Sequence, residues 1–223
     1  MLDTKYNSQS NSIATYNYVD IITGTGIIEL YIAKTVDKQV LTNFSFYSDT
    51  VSSPAYTTAG TGAAAKVADL DFDVLVNKPL TLQGTGIVQV AIKITHSGAA
   101  GGSYQPYIIA KLRKWDGTTE TEIASNQSKT FYTASNGDAG WGNGLVYDIG
   151  AIDLTVPLTV FKKGEYIRLT LELWGYCDAT APGEIRLGWD PKNRSKYKTE
   201  WDSSALSSPS LSLLQLPTRL DID

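Results

Sequence analysis

Val160-Phe-Lys-Lys-Gly-Glu-Tyr-Ile-Arg-Leu-Thr-Leu-Glu-Leu-Trp174 is the stretch that decides the fold. Lys163–Gly164 closes a turn, and from Tyr166 onward the apolar residues recur with a period of two. Successive side chains of a strand point to opposite faces. Ile167, Leu169, Leu171 and Leu173 therefore share one face, while Tyr166, Arg168, Thr170, Glu172 and Trp174 share the other. A dry face backed by a wet one is the pattern of an antiparallel sheet packed on one side. Burying four such aliphatics contributes on the order of 6–12 kcal/mol before conformational entropy is subtracted, which makes this strand a core element.

The same reading extends outward in both directions. Strand-length apolar or alternating runs occur at 18–22, 26–33, 40–47, 68–76, 87–95, 107–115, 120–125, 151–156, 184–189 and 211–220, each followed by turn chemistry. In YIIAKLRKWDGTTETEIAS, Ile109, Leu112 and Ile123 flank Asp116–Gly117, a pair favoured in the type I′ turns of tight hairpins. No 12-residue window carries an apolar 3.6-residue period, so no helix longer than one or two turns is expected. The spacing predicts an all-β chain folded as a single antiparallel β-sandwich with long loops and extended termini. The long loops fall at 48–65, 97–102 and 125–144. Residues 1–17 read as a polar N-terminal arm and residues 18–223 as the sandwich domain.

Composition bounds the function. The chain has 223 residues, a net charge of −4 and no basic run longer than Lys162–Lys163, so it lacks the clustered cations that follow a phosphate backbone, and no nucleic acid partner is expected. No apolar run approaches the ~20 residues of a membrane-spanning helix, and the N-terminus lacks the pattern of a signal peptide. The single cysteine, Cys177, has no second thiol to pair with in the chain and reads as core filler.

The inventory for catalysis is thin. His96 is the only histidine, it ends the run IKITH, and it reads as a solvated strand-end residue. No Gly-x-Ser-x-Gly elbow is present. With one His and one Cys, a zinc site of the usual ligands is excluded by count. Asp69, Asp71 and Asp73 alternate with Leu70, Phe72 and Val74, so three carboxylates share one strand face. Such a face suits either a hard cation or the wet side of an edge strand. Two carboxylates suffice for glycoside hydrolysis, but none here sits in a neighbourhood that would raise its pKa. Neither catalytic residues, a cofactor nor a metal is assigned, and the chain is expected not to be an enzyme.

Contact residues remain. Among the five tryptophans, Trp115 abuts a hairpin turn and Trp141 sits in a Gly-rich loop; either suits stacking on a sugar or anchoring a protein contact. In Gly188-Trp-Asp-Pro-Lys-Asn-Arg194, Asp190–Pro191 starts a turn whose tip carries Lys192, Asn193 and Arg194, either a contact loop or an ordinary Asx-Pro turn. Gly24-Thr-Gly-Ile27 and Gly84-Thr-Gly-Ile87 repeat 60 positions apart, which reads as two equivalent sheet corners needing positive φ, with gene duplication as the alternative, and not as a phosphate loop.

Taken together, DIITGTGIIELYIAKTVDK, LTNFSFYSDTV, LDFDVLVNKPLTLQGTGIV, YIIAKLRKWDGTTETEIAS, PLTVFKKGEYIRLTLELW and LGWDPKNR resemble the accessory virion structural proteins of tailed phages, which have jelly-roll-like folds. The resemblance implies a sandwich of jelly-roll type that decorates or cements a capsid, or stands at the neck, tail or fibre attachment. The implied location is the virion. The implied partners are the major capsid protein or other virion proteins and further copies of the chain, with a trimer favoured. A carbohydrate-binding sandwich that takes a surface glycan is the alternative reading.

Overall fold

The computed structural model describes residues 14–15, 25–46, 48, 50, 52–58, 63–96, 103–134, 144–177, 182–189, 191 and 212–219. Among them every regular element is a strand: β1 (Ala14–Thr15), β2 (Thr25–Lys34), β3 (Gln39–Thr42), β4 (Tyr56–Thr58), β5 (Ala65–Leu75), β6 (Leu80–His96) and β7 (Ser103–Trp115). β8 (Glu120–Gln127), β9 (Thr133–Ala134), β10 (Gly144–Phe161), β11 (Tyr166–Cys177), β12 (Gly183–Gly188) and β13 (Leu213–Arg219) follow. The all-β antiparallel sandwich expected from the sequence is the observed fold.

β6 organises one layer. Its 17 residues pair with β10 along one edge. The other edge is shared end to end by β13, opposite Thr81–Gln89, and β12, opposite Ala91–His96. β13 pairs on with β2, and β4 extends β12. The second layer runs β5–β11–β7–β8, with β11 flanked by β5 and β7 over most of its length. The β2–β3 hairpin joins the layers through one parallel pair, Val40 with Asp73. Ile28, Leu30, Val88, Val90, Ile92, Ile94, Leu214 and Leu216 of the first layer are buried with Phe72, Ile108, Leu112, Ile167, Leu169, Leu171 and Leu173 of the second. The dry face read for β11 is thus the inner face.

Several expectations are corrected in detail. The hairpin after β7 places Gly117, not Asp116, at the first central position: Asp116 N–H donates to Thr119 O at 3.2 Å, and Gly117 has φ of 97°. The Asp116 carboxylate closes the turn, accepting from the N–H groups of Thr118 and Thr119 at 2.8 and 2.7 Å. The Gly84–Gly86 pair lies inside β6 and not at a sheet corner. There Pro217 of β13 lies so close that a Cβ on Gly84 would meet its ring at 3.2 Å, and the register with β10 shifts between Val156 and Thr159. Gly84, with φ of 126°, sits opposite that irregularity. Gly24 and most of the expected N-terminal arm lie outside the described residues; Ala14–Thr15 of that arm pairs with Ile28–Ile27. The expected loops 48–65 and 125–144 also contain short strands and a buried Phe131.

Candidate functional site

Strand ends converge at one end of the sandwich. Thr58 ends β4, His96 ends β6, Ser103 and Gly144 begin β7 and β10, Cys177 ends β11 and Gly183 begins β12. The register places Thr58 opposite Gly183, Gly183 opposite His96, and His96 opposite Gly144. Directly paired residues point to the same face, and His96 has the parity of the buried Ile92 and Ile94, so this row faces inward. In the other layer Cys177 pairs with Tyr104 and Gly175 with Pro106, on the parity of Leu173 and Ile108, which also face inward. Tyr104 pairs on its other side with Thr133.

Two glycines make the layers meet here. A Cβ on Gly183 would stand 2.2 Å from Cγ of Tyr104, so the tyrosine ring lies where a side chain of residue 183 would be. A Cβ on Gly175 would meet Thr58 Oγ1 at 2.2 Å and Tyr104 Oη at 2.8 Å. The phenol therefore crosses the sandwich, and Thr58 Oγ1 donates to its oxygen at 3.1 Å. Burial pushes the Tyr104 phenol up to about 12, against the lowering effect of the Thr58 bond, and the nearby Cys177 and Glu184 add to the rise. Tyr104 is therefore a neutral hydroxyl at any ordinary pH.

His96 stands in this row fully buried, and neither Nδ1 nor Nε2 has a hydrogen-bond partner. The expectation of a solvated histidine is corrected. β6 runs on past Thr95 and is paired on both sides as far as His96, so the inward parity of the strand carries the imidazole into the interior. Leaving buried polar groups unpaired costs about 1–3 kcal/mol each, and native proteins keep few of them. The sequence offered only the residue type; the signal for its placement was the unbroken alternation Val88, Val90, Ile92, Ile94, His96.

The outer face of the second layer is the other concentration of charge. Arg168 donates through Nε and Nη2 to the two carboxylate oxygens of Asp73 at 2.7 and 2.8 Å, and through Nη1 to Glu120 at 3.1 Å, with Asp71 at 3.4 Å. Thr170 donates to Asp71 at 2.5 Å. Glu172 accepts from Lys111 at 2.8 Å, Trp174 Nε1 at 3.1 Å and Lys66 at 3.4 Å. Asp69 accepts from Lys66 at 2.8 Å. Asp69, Asp71 and Asp73 do share a face, as the period of two implies, but each has a cation or hydroxyl from the protein itself. Among the described residues no group of three His, Cys, Asp or Glu side chains could hold a metal ion.

Trp115, expected as a contact residue, is half-buried, with the Arg168 guanidinium 4.4 Å from its ring centroid and Tyr166 at 4.9 Å. Its ring is thus packed within this face. Trp141, Asp190, Lys192, Asn193 and Arg194 lie outside the described residues. Pro191 beside them is buried, and its carbonyl accepts from Ser45 Oγ at 2.9 Å. Cys177 is buried, as core filler should be.

With this architecture established, the chain can be set beside known proteins. No protein-family model matches it, and no curated protein sequence matches it. Solved structures do. An α-amino acid ester hydrolase matches with a TM-score of 0.52 at 10% identity over 86% of this chain and 36% of its own. An aminopeptidase from a marine-sediment Thaumarchaeota archaeon matches with a TM-score of 0.52 at 8% identity over 87% of this chain and 37% of its own. A CocE/NonD family hydrolase from Staphylococcus aureus matches at 0.45 and 13% identity over 88% and 37%. The chain thus spans little more than a third of the length of these hydrolases. Likeness to virus particles extends to the infectious bursal disease virus VP2 subviral particle, at a TM-score of 0.28 and 10% identity over 86% of this chain and 42% of that one, a level that carries no assignment.

These matches correct two expectations: that the chain is a non-enzymatic virion structural protein, with a glycan-binding module as its alternative, and that it is not an enzyme. The folds it shares at a TM-score above 0.5 belong to hydrolases, and no phage family is found. The physical reason is that strand-and-turn phrases specify a sandwich, and a sandwich serves many functions.

Proposed function

We propose that this chain is the β-sandwich unit of an acyl hydrolase that acts on amino-acid esters or N-terminal peptide bonds. The observation that carries this reading is the shared fold, over 86–87% of the chain, with an ester hydrolase and an aminopeptidase whose substrates, by their names, are both acyl derivatives of amino acids. Since the chain spans 36–37% of those proteins, the reading places the nucleophile and its base in a catalytic unit beside the sandwich. The geometry agrees: His96, the only histidine of the chain, engages neither a hydroxyl nor a carboxylate through its ring.

The exposed side chains of the two outer faces bear on the side of contact. The outer face of β5–β11–β7–β8 is laced by its own ion pairs, with Leu75 exposed at the end of β5. The outer face of β2–β13–β6–β10 instead exposes Ile27, Ile87 and Ile149, with Leu158 and Val160 nearer its turn end. We place the catalytic unit against this second face because it carries more of the exposed aliphatics.

The test is capture of the tagged chain from its source cells and assay of the captured material on an L-amino-acid ester and an aminoacyl anilide. Hydrolysis is expected to accompany the wild-type chain and to fall at least about tenfold, the equivalent of roughly 1.4 kcal/mol of interface, when Ile27→Glu and Ile87→Glu are combined. Hydrolysis no greater than in mock captures would overturn the reading.

A further inference from the structure

The outer face of β2–β13–β6–β10 carries charge that the chain itself does not answer. Register places Glu29 of β2 opposite Gln215 of β13, Gln215 opposite Ile87 of β6, and Ile87 opposite Asp153 of β10. Their chain neighbours Ile28, Leu30, Val88, Leu214, Ile152 and Leu154 are buried, so the four residues of this row point outward. Glu29, Ile87 and Asp153 are exposed. Gln215 Nε2 donates to Glu29 Oε2 at 3.1 Å. In the next row, burial and then the nearby Glu29 carboxylate raise the Tyr31 phenol above its ordinary value. Both neighbours are neutral. Among the described residues no Lys or Arg pairs with Glu29 or Asp153, whereas in the other layer Asp71 and Asp73 meet Arg168 and Glu172 meets Lys111. Covering a carboxylate is strongly unfavourable unless a cation comes with the cover.

We propose that the protein covering this face presents two cationic side chains astride an apolar seat for Ile87, one meeting Glu29 and one meeting Asp153. The assignment rests on the reading above that this face meets a partner, there the catalytic unit, and adds the chemistry of its contact. The sheet sets the spacing: Glu29 and Asp153 stand three strands apart, about 14 Å across. Ile27, opposite Pro217, extends the apolar part on the Glu29 side. An uncharged or acidic cover would leave both carboxylates buried without a counterion, and a phospholipid surface, being anionic, would repel them. Lys and Arg answer both needs, Arg with two parallel hydrogen bonds. Once covered, such pairs are screened little by salt, so they resist washing as the apolar contact does.

The test uses the full tagged chain in native capture, with two readouts: the mass of co-captured polypeptide per chain and the hydrolysis of an L-amino-acid ester. Glu29→Gln combined with Asp153→Asn removes the charges and keeps the shapes. Both side chains are exposed, so the variants should fold, and an unchanged urea midpoint checks that they do. With a cationic partner the amide pair should lower both readouts at least about tenfold, and Glu29→Lys with Asp153→Lys at least about a hundredfold. With a partner that lacks cations the sign reverses, because neutral amides are covered at lower cost than carboxylates. Co-capture unchanged or raised by the amide pair would therefore overturn the proposal, and ester hydrolysis in that material would leave the hydrolase reading intact. Co-captured polypeptide that falls with both variants but hydrolyses no ester would support the cationic partner and overturn the hydrolase reading. A wild-type chain that brings down no polypeptide beyond mock captures would overturn both.

Discussion

Glu172 shows how one side chain can be polar, buried and stabilising at once. Burial alone would raise its pKa, but hydrogen bonds from Lys111 and Trp174, the charge of Lys111 and the bond from Lys66 outweigh it and hold the carboxyl at about 2, below its ordinary value of 4.5. A depressed carboxylate pKa contributes stability that is present above the unfolded-state value and lost as pH falls through the folded one. The loss should therefore fall between about pH 4.5 and pH 2. Glu172→Gln is expected to lower stability at pH 7 by on the order of 2–3 kcal/mol and to flatten the urea midpoint over that pH window. A variant as acid-sensitive as the wild type would refute the assignment. Arg168→Lys should cost about 1–3 kcal/mol in the same assay, because an ammonium cannot replace the two-pronged bond to Asp73. The pairing partners of these residues were not legible in the sequence. Alternation placed Asp73, Arg168 and Glu172 on a wet face, but only the register, Asp73 with Arg168 and Arg168 with Arg113, brings the particular charges together.

Turns and close approaches decide the next scale. Gly117 adopts φ of 97° with nothing within 4 Å of a notional Cβ, so the penalty for a side chain there is conformational and not steric. Gly117→Ala is expected to lower stability by about 1–2 kcal/mol, read as a shift in thermal midpoint. Gly183 is the opposite case: its φ is unremarkable, and a Cβ would stand 2.2 Å from the Tyr104 ring. Gly183→Ala should therefore cost at least about 1–3 kcal/mol through overpacking and alter the resonances of the neighbouring His96. If Gly183→Ala were neutral while Gly117→Ala was not, the Tyr104 ring would not be seated where described. At this scale the sequence was informative wherever a face was apolar: the alternations of β5, β7 and β11 were legible, and β6 and β10 were undercalled. β6 and β10 continue through the glycine-containing segments Leu82–Gly86 and Gly144–Ala151, where each is paired with the other over most of its length. The positions of β13 and β4 were likewise invisible, since strand order depends on contacts far apart in the chain.

The whole molecule is tied together by its last strand. β13 lies between β2 and β6, pairing Leu213 with Tyr31 and Gln89, and it buries Leu214 and Leu216. Removing residues 212–223 would open a gap in the middle of the first layer. The truncated chain is expected to lose cooperative urea unfolding, and a sharp transition in its place would contradict the topology. The layers also close against each other at their edges: Asn126 Nδ2 donates to Asp153 O at 2.9 Å, and Lys114 Nζ to Val160 O at 2.8 Å. What this scale adds to function was beyond the sequence, because the strand phrases that suggested a virion protein are the phrases of any sandwich. The most direct test of the central claim is the rate of L-amino-acid ester hydrolysis per captured chain, measured in material purified natively through this sandwich. The account predicts turnover that tracks the amount of chain captured and survives high-salt washing, as an apolar contact should. Turnover that washes away, or that matches mock captures, would contradict it.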